Sequence, residues 1–361
     1  MSPRSGIGCM LNGGVEAVVN RMLQTEDILS IHLERSAPRD VARILEALAE
    51  ASIVVARRIR RGSLDGPLYA DVDPAKIGVA QALDVFADET FLAGLRGAGV
   101  RGVVSAEHAD PIELDADERF LVAIDPLDGS SNIQANATAG SIFSVLDAPP
   151  GSLKAAHFLQ PGIRQRAAGY FVFGPRVVFV FTTGAGVAAA TLDEKAGRYH
   201  VTSARIEMPQ GARVFSINAA NQRHWRAPVR AYVDDLLEGE EGPRGHNFNM
   251  RWVGSMVAEA HRILLSGGIY LYPEDSRQGH ENGRLSLLYD ASPVAFLTEQ
   301  AGGEAIDGFR RILAIEPKSI HQRAPLIFGS KDKVERLARY YGGQGEARVP
   351  PLFGRRGLLL R

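Results

Sequence analysis

The amino-acid sequence predicts two domains, the first of α+β and the second of α/β architecture. Between residues 1 and 205 the predicted strands follow one another with few helices between them, whereas between residues 206 and 345 strands alternate with helices. The chain has 361 residues, 45% of them hydrophobic, and is therefore long enough to bury a core in each domain. Residues 346–361 are left as a tail.

The first predicted domain combines helices and strands. Asp40 to Arg61 has apolar residues at helical spacing and a basic last turn before Gly62, which is typical of a helix and its C-terminal stop. A loop rich in Gly, Pro and Asp follows as far as Lys76, and a second helix is predicted from about Leu83 to Leu95. The predicted strands are R-G-V-V-S before Glu107, F-L-V-A-I before Asp125, S-I-F-S-V-L from Ser141, and a hairpin of Tyr170 to Phe173 with Val177 to Thr182.

The second predicted domain begins with the strand V-F-S-I-N, from Val214 to Asn218. A helix is predicted from Ser255 to Leu265, and Gly267 and Gly268 separate it from the strand I-Y-L-Y. Another helix is predicted from about Pro293 to Gln300. This alternation is the pattern of an α/β unit.

Composition excludes several classes of function. The 41 Lys and Arg residues against 42 Asp and Glu leave a net charge of -1, so no global field attracts nucleic acid or an anionic membrane. Cys9 is the single cysteine, which excludes an internal disulfide framework and a cysteine-built zinc site. No apolar run of about 18 residues and no secretory signal pattern is present, so a cytoplasmic protein is expected.

The stretch A-I-D-P-L-D-G-S-S-N, from Ala123 to Asn132, carries the strongest chemical signal. An apolar strand ends at Asp125 and Asp128, and Pro126 forces the chain to turn between them. Two carboxylates so close repel each other unless a cation lies between them. Mg²⁺ prefers such an all-oxygen surrounding, and the carbonyl of Leu127 is available as a third ligand.

The residues after the two aspartates predict a phosphate site. Gly129 lets the backbone approach a ligand closely, and Ser130 and Ser131 can open a helix whose free N–H groups favour an anion. For this motif alone, a solvated turn that caps a helix is the preferred interpretation, because Asp and Ser are common at caps, and further acids are needed to favour a site. Further acids stand at the edges of other apolar segments, where each could cap an element or face a cleft: Asp84, Glu107 and Asp290.

Further motifs follow in order between about residues 40 and 340. They are I-D-P-L-D-G-S-S-N-I (Ile124 to Ile133), F-L-Q-P-G (Phe158 to Gly162), A-A-G-Y (Ala167 to Tyr170), M-R-W-V-G-S-M-V-A (Met250 to Ala258), G-G-I-Y-L-Y-P (Gly267 to Pro273), R-L-S-L-L-Y-D-A-S-P-V-A-F (Arg284 to Phe296), E-Q-A-G-G, and I-H-Q-R-A-P-L-I-F-G-S (Ile320 to Ser330). With these motifs the chain resembles the class I fructose-1,6-bisphosphatases of the lithium-sensitive, metal-dependent sugar phosphatase superfamily.

The resemblance implies a two-domain, layered α-β-α-β-α sandwich, the sugar phosphatase fold. It implies hydrolysis of the 1-phosphate of D-fructose 1,6-bisphosphate to fructose 6-phosphate and phosphate, in gluconeogenesis or the Calvin cycle. Mg²⁺ would be the cofactor, with Mn²⁺ as a possible substitute. The expected partners are the sugar bisphosphate and other copies of the chain in a homotetramer, with neither nucleic acid nor membrane.

The resemblance also assigns roles to residues. The metal ligands would be Glu107, Asp125, the carbonyl of Leu127, Asp128 and Asp290. Asp84 and Glu107 would take the proton of the attacking water. The substrate would be bound by Asp128, Gly129, Ser130, Ser131, Asn218, Asn221, Arg251, Tyr272 and Arg284, with Arg251 reaching across from a neighbouring subunit. Arginines suit the distal phosphate because a guanidinium group can donate two hydrogen bonds to it.

The chain departs from the family pattern near the reaction centre. The usual S-E-E reads S-A-E, so Ala106 stands where one glutamate is expected. Gly78 and Ala82 replace an aspartate and a lysine, Asp290 replaces a glutamate, and Trp252 replaces a tyrosine. These changes keep open a catalytically degenerate paralogue that binds sugar phosphate without hydrolysing it.

A second alternative concerns the substrate. No motif separates fructose from sedoheptulose 1,7-bisphosphate, so a sedoheptulose-bisphosphatase or a dual-specificity enzyme also stays open. An inositol-type monophosphatase is disfavoured, because it would not need Arg251, Tyr272 and Arg284 around a second phosphate. His261 and His321 lack metal-ligand spacing and are expected to be structural.

Overall fold

The structure of the protein is a computed structural model that describes residues 28–66 and 82–343. Cys9, Gly78 and the predicted tail lie outside these ranges. The α-helices in the described residues are α1 Leu29–Ser36, α2 Arg39–Arg61, α3 Ala82–Leu95, α4 Ala227–Leu237, α5 Met256–Ser266, α6 Ser292–Gln300 and α7 Lys331–Tyr341. Among the described residues, no helix is both long and apolar enough to cross a membrane.

The first half of the chain forms an eight-stranded sheet. Its strands are β1 Val100–Ser105, β2 Ile112–Glu113, β3 Phe120–Asp128, β4 Ala139–Asp147, β5 Ala167–Phe173, β6 Val177–Thr182, β7 Val187–Asp193 and β8 Arg198–Ile206. They lie in the order β2-β1-β3-β4-β5-β6-β7-β8. β1 and β3 are parallel, and the other neighbours are antiparallel. The predicted hairpin of β5 and β6 is confirmed.

The second half forms a five-stranded mixed sheet. The strands in this half are β9 Val214–Ser216, β10 Asn249–Met250, β11 Ile269–Tyr272, β12 Leu285–Ser286, β13 Gly303–Ile306, β14 Arg323–Ala324 and β15 Leu326–Ser330. The sheet has the order β10-β9-β11-β15-β13, and β12 pairs separately with β14. β10, β9 and β11 are mutually parallel, whereas β15 is antiparallel to both of its neighbours.

Side chains on the two faces of the first sheet enter different cores. Along β4, Phe143 packs with the N-terminal helices through residues such as Leu45, whereas Ile142 packs with Val257 of α5 and Val294 of α6. This alternation follows from the period of two in a β-strand. Because β3 is covered on both faces, its sequence F-L-V-A-I is a continuous apolar run instead of an alternating one.

The same middle helices also pack against the second sheet. Tyr270 and Phe328 belong to the core of α5 and α6, whereas Leu271 on the opposite face packs with Val229 of α4 and Leu337 of α7. The layers therefore run α1–α3, first sheet, α5 and α6, second sheet, α4 and α7. The predicted α-β-α-β-α sandwich is confirmed.

Candidate active site

Asp125 and Asp128 lie at the carboxyl end of β3, on a β-bulge. Asp125 pairs with Ile142 and Asp128 with Gly140, so three steps along β3 oppose two along β4. In a regular strand, residues three apart point to opposite faces of the sheet. The extra residue of a bulge shifts this alternation by one, so Asp125 and Asp128 are not forced onto opposite faces. The bulge contains Pro126, which has no N–H to contribute to the ladder. The Pro126 carbonyl accepts a hydrogen bond from the Ser141 hydroxyl at 2.7 Å.

Asp128 joins the first sheet to the middle helix layer. Its Oδ2 accepts hydrogen bonds from the Ser255 hydroxyl and from the Val257 N–H, each at 2.9 Å, in the first turn of α5. Burial raises the pKa of Asp128, and these donors lower it in part. The Asp128 side chain is therefore held in place by neutral hydrogen-bond donors, and none of these contacts comes from a basic side chain.

Asp290 is a buried carboxylate in a single π-helical turn, Leu287–Ala291. Its Oδ2 accepts a hydrogen bond from the Ser286 N–H at 2.7 Å, while its buried Oδ1 has no hydrogen-bond partner within the described part of the chain. Burial, and next the charge of Asp128, raises the pKa of Asp290 to about 7. Burial also raises the pKa of Asp125 well above its usual value, and the charges of Asp290 and Asp128 raise it further. The three carboxylates thus repel one another in a region of low solvation.

Asp84 and Glu107 approach the same region from other elements. Asp84 is buried in the first turn of α3, and Glu107 lies in the turn directly after β1. Partial burial raises the pKa of Glu107, followed in size by the charges of Asp84 and Asp88. Glu107 in turn contributes to the raised pKa of Asp125. The charges of the acids that the sequence predicted therefore affect each other's pKa values across different elements of the fold.

Gly129 and the two serines form a tight turn beside these acids. Gly129 has φ +72°, and a Cβ on it would lie 2.8 Å from Cβ of Ser255, so the position requires glycine. The expectation that Ser130 and Ser131 open a helix is wrong, because Ser130–Asn132 is a 3₁₀ turn of three residues. Such a turn offers individual N–H groups without the dipole of a longer helix.

The residues expected at the distal phosphate collect at one edge of the second sheet. Arg251 follows β10, Asn218 follows β9, and Tyr272 ends β11. The carboxyl ends of neighbouring parallel strands meet at the same sheet edge, which is where ligands bind in open α/β sheets. The ring of Tyr272 lies 6.3 Å from the ring of Trp252, next to Arg251.

The remaining distal residues are placed by turns. Asn218 caps the 3₁₀ turn Ala219–His224 through an Oδ1 that accepts the Ala220 N–H at 3.2 Å, and Asn221 lies inside this turn. Arg284 is exposed directly before β12, and its carbonyl accepts Nη1 of Arg323 at 2.7 Å. The guanidinium groups of Arg251 and Arg284 are both on exposed residues.

Sequence reasoning missed Asp88 and His108, which lie beside Glu107. His108 donates from Nε2 to Oδ2 of Asp88 at 2.7 Å. Asp88 stands four residues after Asp84 and therefore on the same side of α3, which is the signal that could have identified it.

His321 forms a bridge, with Nδ1 3.1 Å from the Tyr289 hydroxyl and Nε2 3.1 Å from the Ala109 carbonyl.

Two family models match the chain. The fructose-1,6-bisphosphatase N-terminal domain matches residues 25–204, and the C-terminal domain of the same family matches residues 208–342. The chain belongs to the fructose-1,6-bisphosphatase family. Members of this family are divalent-metal-dependent phosphatases.

Individual fructose-1,6-bisphosphatases are similar over most of their length. The class 1 enzyme of Paracoccus denitrificans is 48% identical over 315 residues, which cover 87% of this chain and 94% of the relative. A class 1 enzyme of Xanthobacter autotrophicus is 47% identical over 333 residues, covering 91% and 89% of the two chains. The holo-form crystal structure of the Leishmania major enzyme has a TM-score of 0.81 at 33% identity and covers 88% of this chain and 98% of its own.

The chemistry of the acidic site fits the divalent cation on which fructose-1,6-bisphosphatases depend. The charges of Asp290 and Asp128 raise the proton affinity of Asp125, the charge of Asp128 raises that of Asp290, and Asp290 has a buried oxygen with no hydrogen-bond partner among the described residues. A hard cation would reduce the repulsion between these carboxylates and would provide a partner for the buried oxygen of Asp290. Within residues 28–66 and 82–343, no group of three or more His, Cys, Asp and Glu side chains is already placed so that it could hold a metal ion. The ligand assignments therefore remain predictions.

Cation binding is expected to depend on pH. Because the pKa of Asp290 is raised to about 7, a proton occupies this carboxyl in the metal-free protein at lower pH. A divalent cation must displace that proton and any proton that the raised pKa of Asp125 retains, so the affinity for Mn²⁺ should rise by about tenfold or more per pH unit up to about pH 7. Titration calorimetry with Mn²⁺ across this range measures the effect.

A matched variant and a stability measurement test the cause of that dependence. Asp290→Asn should flatten the pH profile of Mn²⁺ affinity, whereas an unchanged slope would contradict the role of Asp290. A carboxyl with a raised native pKa binds more protons in the native than in the unfolded state. The free energy of unfolding of the metal-free protein should therefore fall as the pH rises from about 4 to about 7.

Proposed function

We propose that this chain hydrolyses the 1-phosphate of D-fructose 1,6-bisphosphate with Mg²⁺ as cofactor. The observation that carries this proposal is the group of mutually repelling carboxylates, Asp125, Asp128 and Asp290, next to the Gly129–Ser131 turn. Family membership supports the reaction, and the basic residues at the carboxyl edge of the second sheet support a substrate with a second phosphate.

The proposed mechanism assigns binding of the transferred phosphoryl group to the Gly129–Ser131 turn. The positive φ of Gly129 turns the backbone so that the following N–H groups can approach an anion closely. Asp125, Asp128, Asp290, Glu107 and the carbonyl of Leu127 would hold Mg²⁺, which when bound neutralises charge on the attacking and leaving oxygens. Asp128 would be kept in place by its bonds to Ser255 and Val257.

Proton transfer falls to Glu107 and Asp84 in this proposal. Glu107, whose pKa is raised by partial burial in the metal-free protein, would with Asp84 accept the proton of the attacking water. Asp84 lies close enough for its charge to contribute to that shift. Ala106 provides no second carboxylate in this turn, so Glu107 carries the role without the neighbour usual in the family.

Binding of the sugar's distal phosphate would involve Arg251, Arg284, Tyr272, Asn218 and Asn221. The arginines would supply charge and paired donors, while the hydroxyl of Tyr272 and the amides would orient the anion. The predicted homotetramer would add Arg251 from a neighbouring subunit. The homotetramer, the cytoplasmic location and the domain division at residues 205 and 206 stay predictions.

Phosphate release from fructose 1,6-bisphosphate by the purified protein tests the proposal. Turnover should require Mg²⁺ or Mn²⁺ and disappear with a chelator. A protein that binds the bisphosphate in titration calorimetry but releases no phosphate at any concentration of either cation would contradict the proposal. It would identify the chain as a sugar-phosphate-binding paralogue whose chemistry was lost with the carboxylate at position 106.

A further inference from the structure

Asp88 is a buried carboxylate that the proposed mechanism does not use. It lies on α3 and is 3% exposed, and both of its oxygens accept hydrogen bonds. Oδ1 accepts the Ser105 hydroxyl at 2.5 Å, and Oδ2 accepts Nε2–H of His108 at 2.7 Å. Its two donors flank Glu107 in the sequence.

The bond to Ser105 extends to the backbone of Glu107. Ser105 is fully buried at the end of β1, and its hydroxyl donates to Asp88 while accepting the N–H of Glu107 at 3.2 Å. A hydroxyl with its proton committed to one partner presents its lone pairs to the other. Asp88 therefore orients the group that receives the Glu107 N–H, and it fixes the other side of the turn through His108.

These bonds oppose an electrostatic repulsion. Asp84 and Asp88 lie one helical turn apart on α3, and the charges of both contribute to the raised pKa of Glu107. Acids of like charge separate unless other contacts hold them together. The bonds from Ser105 and His108 to Asp88 tie the Glu107 turn to the helix that carries Asp84.

Ala106 is held by a different kind of contact. Its side chain packs against the apolar cluster that contains Val104, Leu121 and Leu288. The turn is thus anchored on one side by apolar packing and on the other by hydrogen bonds to Asp88.

We propose that Asp88 is a positioning residue that fixes the Glu107 turn through hydrogen bonds to Ser105 and His108, and so sets the place of Glu107 relative to Asp84. The inference deepens the proposed function and rests on it for the role given to Glu107. Asp88 acts through its neighbours, because the two groups that donate to its oxygens belong to Ser105 and His108, on either side of Glu107.

Hydrogen exchange of the metal-free protein tests the positioning directly. In Asp88→Ala, exchange of the amides from residue 105 to residue 108 should accelerate about tenfold or more, because the acceptor that orients Ser105 is lost. Asp88→Asn can still accept from Ser105 and can donate its amide to Nε2 of His108 in the other tautomer, so exchange should stay within about threefold of the parent. Ser105→Ala, which keeps the bond between Asp88 and His108, should accelerate exchange as Asp88→Ala does, and it replaces that variant if the latter does not fold.

Asp235→Asn is the matched control. Asp235 is another buried aspartate, and it accepts the Tyr340 hydroxyl between α4 and α7, far from Glu107. This substitution should leave exchange of residues 105–108 unchanged. An acceleration there equal to that of Asp88→Ala would indicate general destabilisation and overturn the proposal.

Steady-state kinetics provide the functional readout. Asp88→Ala should raise the Mg²⁺ concentration for half-maximal activity and lower kcat about tenfold, with little change in KM for the bisphosphate. Unchanged exchange in folded Asp88→Ala and Ser105→Ala would overturn the positioning role. Equal exchange rates in Asp88→Asn and Asp88→Ala would also overturn it, because the charge of Asp88 and not its hydrogen bonds would then protect the amides of residues 105–108. A parent protein without phosphatase activity would contradict the proposed function, while the exchange data would still decide the positioning.

Discussion

Asp128→Asn is expected to lower kcat for metal-dependent phosphate release about a thousandfold. The asparagine side chain can still accept hydrogen bonds from Ser255 and Val257, which are the contacts that join β3 to α5. The fold should therefore persist, whereas the charge that would bind the cation is lost. Initial rates at saturating Mg²⁺ measure the loss of activity, and Mn²⁺ titration of the substrate-free protein measures the loss of affinity.

The control for Asp128 is an aspartate that only stabilises a turn. Asp193 is the last residue of β7, and its Oδ1 accepts hydrogen bonds from the N–H groups of Lys195 and Ala196, at 2.9 and 3.1 Å, in the turn to β8. Asp193→Asn should keep full activity and metal affinity. If Asp128→Asn kept more than about a tenth of the parent activity, Asp128 would be a capping residue of the same kind and not a metal ligand.

Arg251→Ala is expected to raise KM for fructose 1,6-bisphosphate about 10- to 100-fold, with a smaller change in kcat. Arg251 stands at the sheet edge shared by β9, β10 and β11, and its backbone N–H, bonded to the Phe215 carbonyl at 2.9 Å, keeps the chain in place after substitution. The loss should be specific to the distal phosphate. Hydrolysis of fructose 1-phosphate, which lacks that group, should therefore be nearly unaffected by the substitution.

Arg251→Lys distinguishes the paired hydrogen-bond donors of the Arg251 guanidinium group from its charge, and a second arginine serves as the control. Arg251→Lys keeps the charge without the paired donors and should show an intermediate KM. Arg339→Ala removes an exposed arginine from α7, on the far side of the second sheet, and should leave KM unchanged. Equal losses of the bisphosphate and the monophosphate reactions in Arg251→Ala would show that the residue does not bind the distal phosphate.

Mixing two impaired chains tests the predicted contribution of Arg251 to a neighbouring subunit. A chain with Asp128→Asn retains Arg251, and a chain with Arg251→Ala retains Asp128. If the residue crosses the subunit boundary, mixed oligomers contain sites with both native residues, and low-substrate activity should exceed that of either variant alone. Activity no greater than the sum of the separate variants would place Arg251 in the site of its own subunit.

The sequence by itself determined the elements whose signals are local. β3 is specified by the apolar run from Phe120 to Ile124, and α2 by helical spacing and the stop at Gly62, because such preferences depend on residues close by in the chain. The order of short motifs also indicated the family and its layered fold. β7 was not predicted, since its alanines have a low strand preference and its place in the sheet depends on β6 and β8.

Only the tertiary structure decided how the candidate site is assembled. The bond between Asp128 and Ser255 joins residues 127 positions apart, and the burial that raises the pKa of Asp290 comes from layers far away in the sequence. In the sequence Asp88 is one of three acids of α3, and only the fold places Ser105 and His108 against it. Local preferences select helices and strands, but hydrogen bonds, desolvation and charge repulsion depend on which distant side chains the packing brings within a few ångströms.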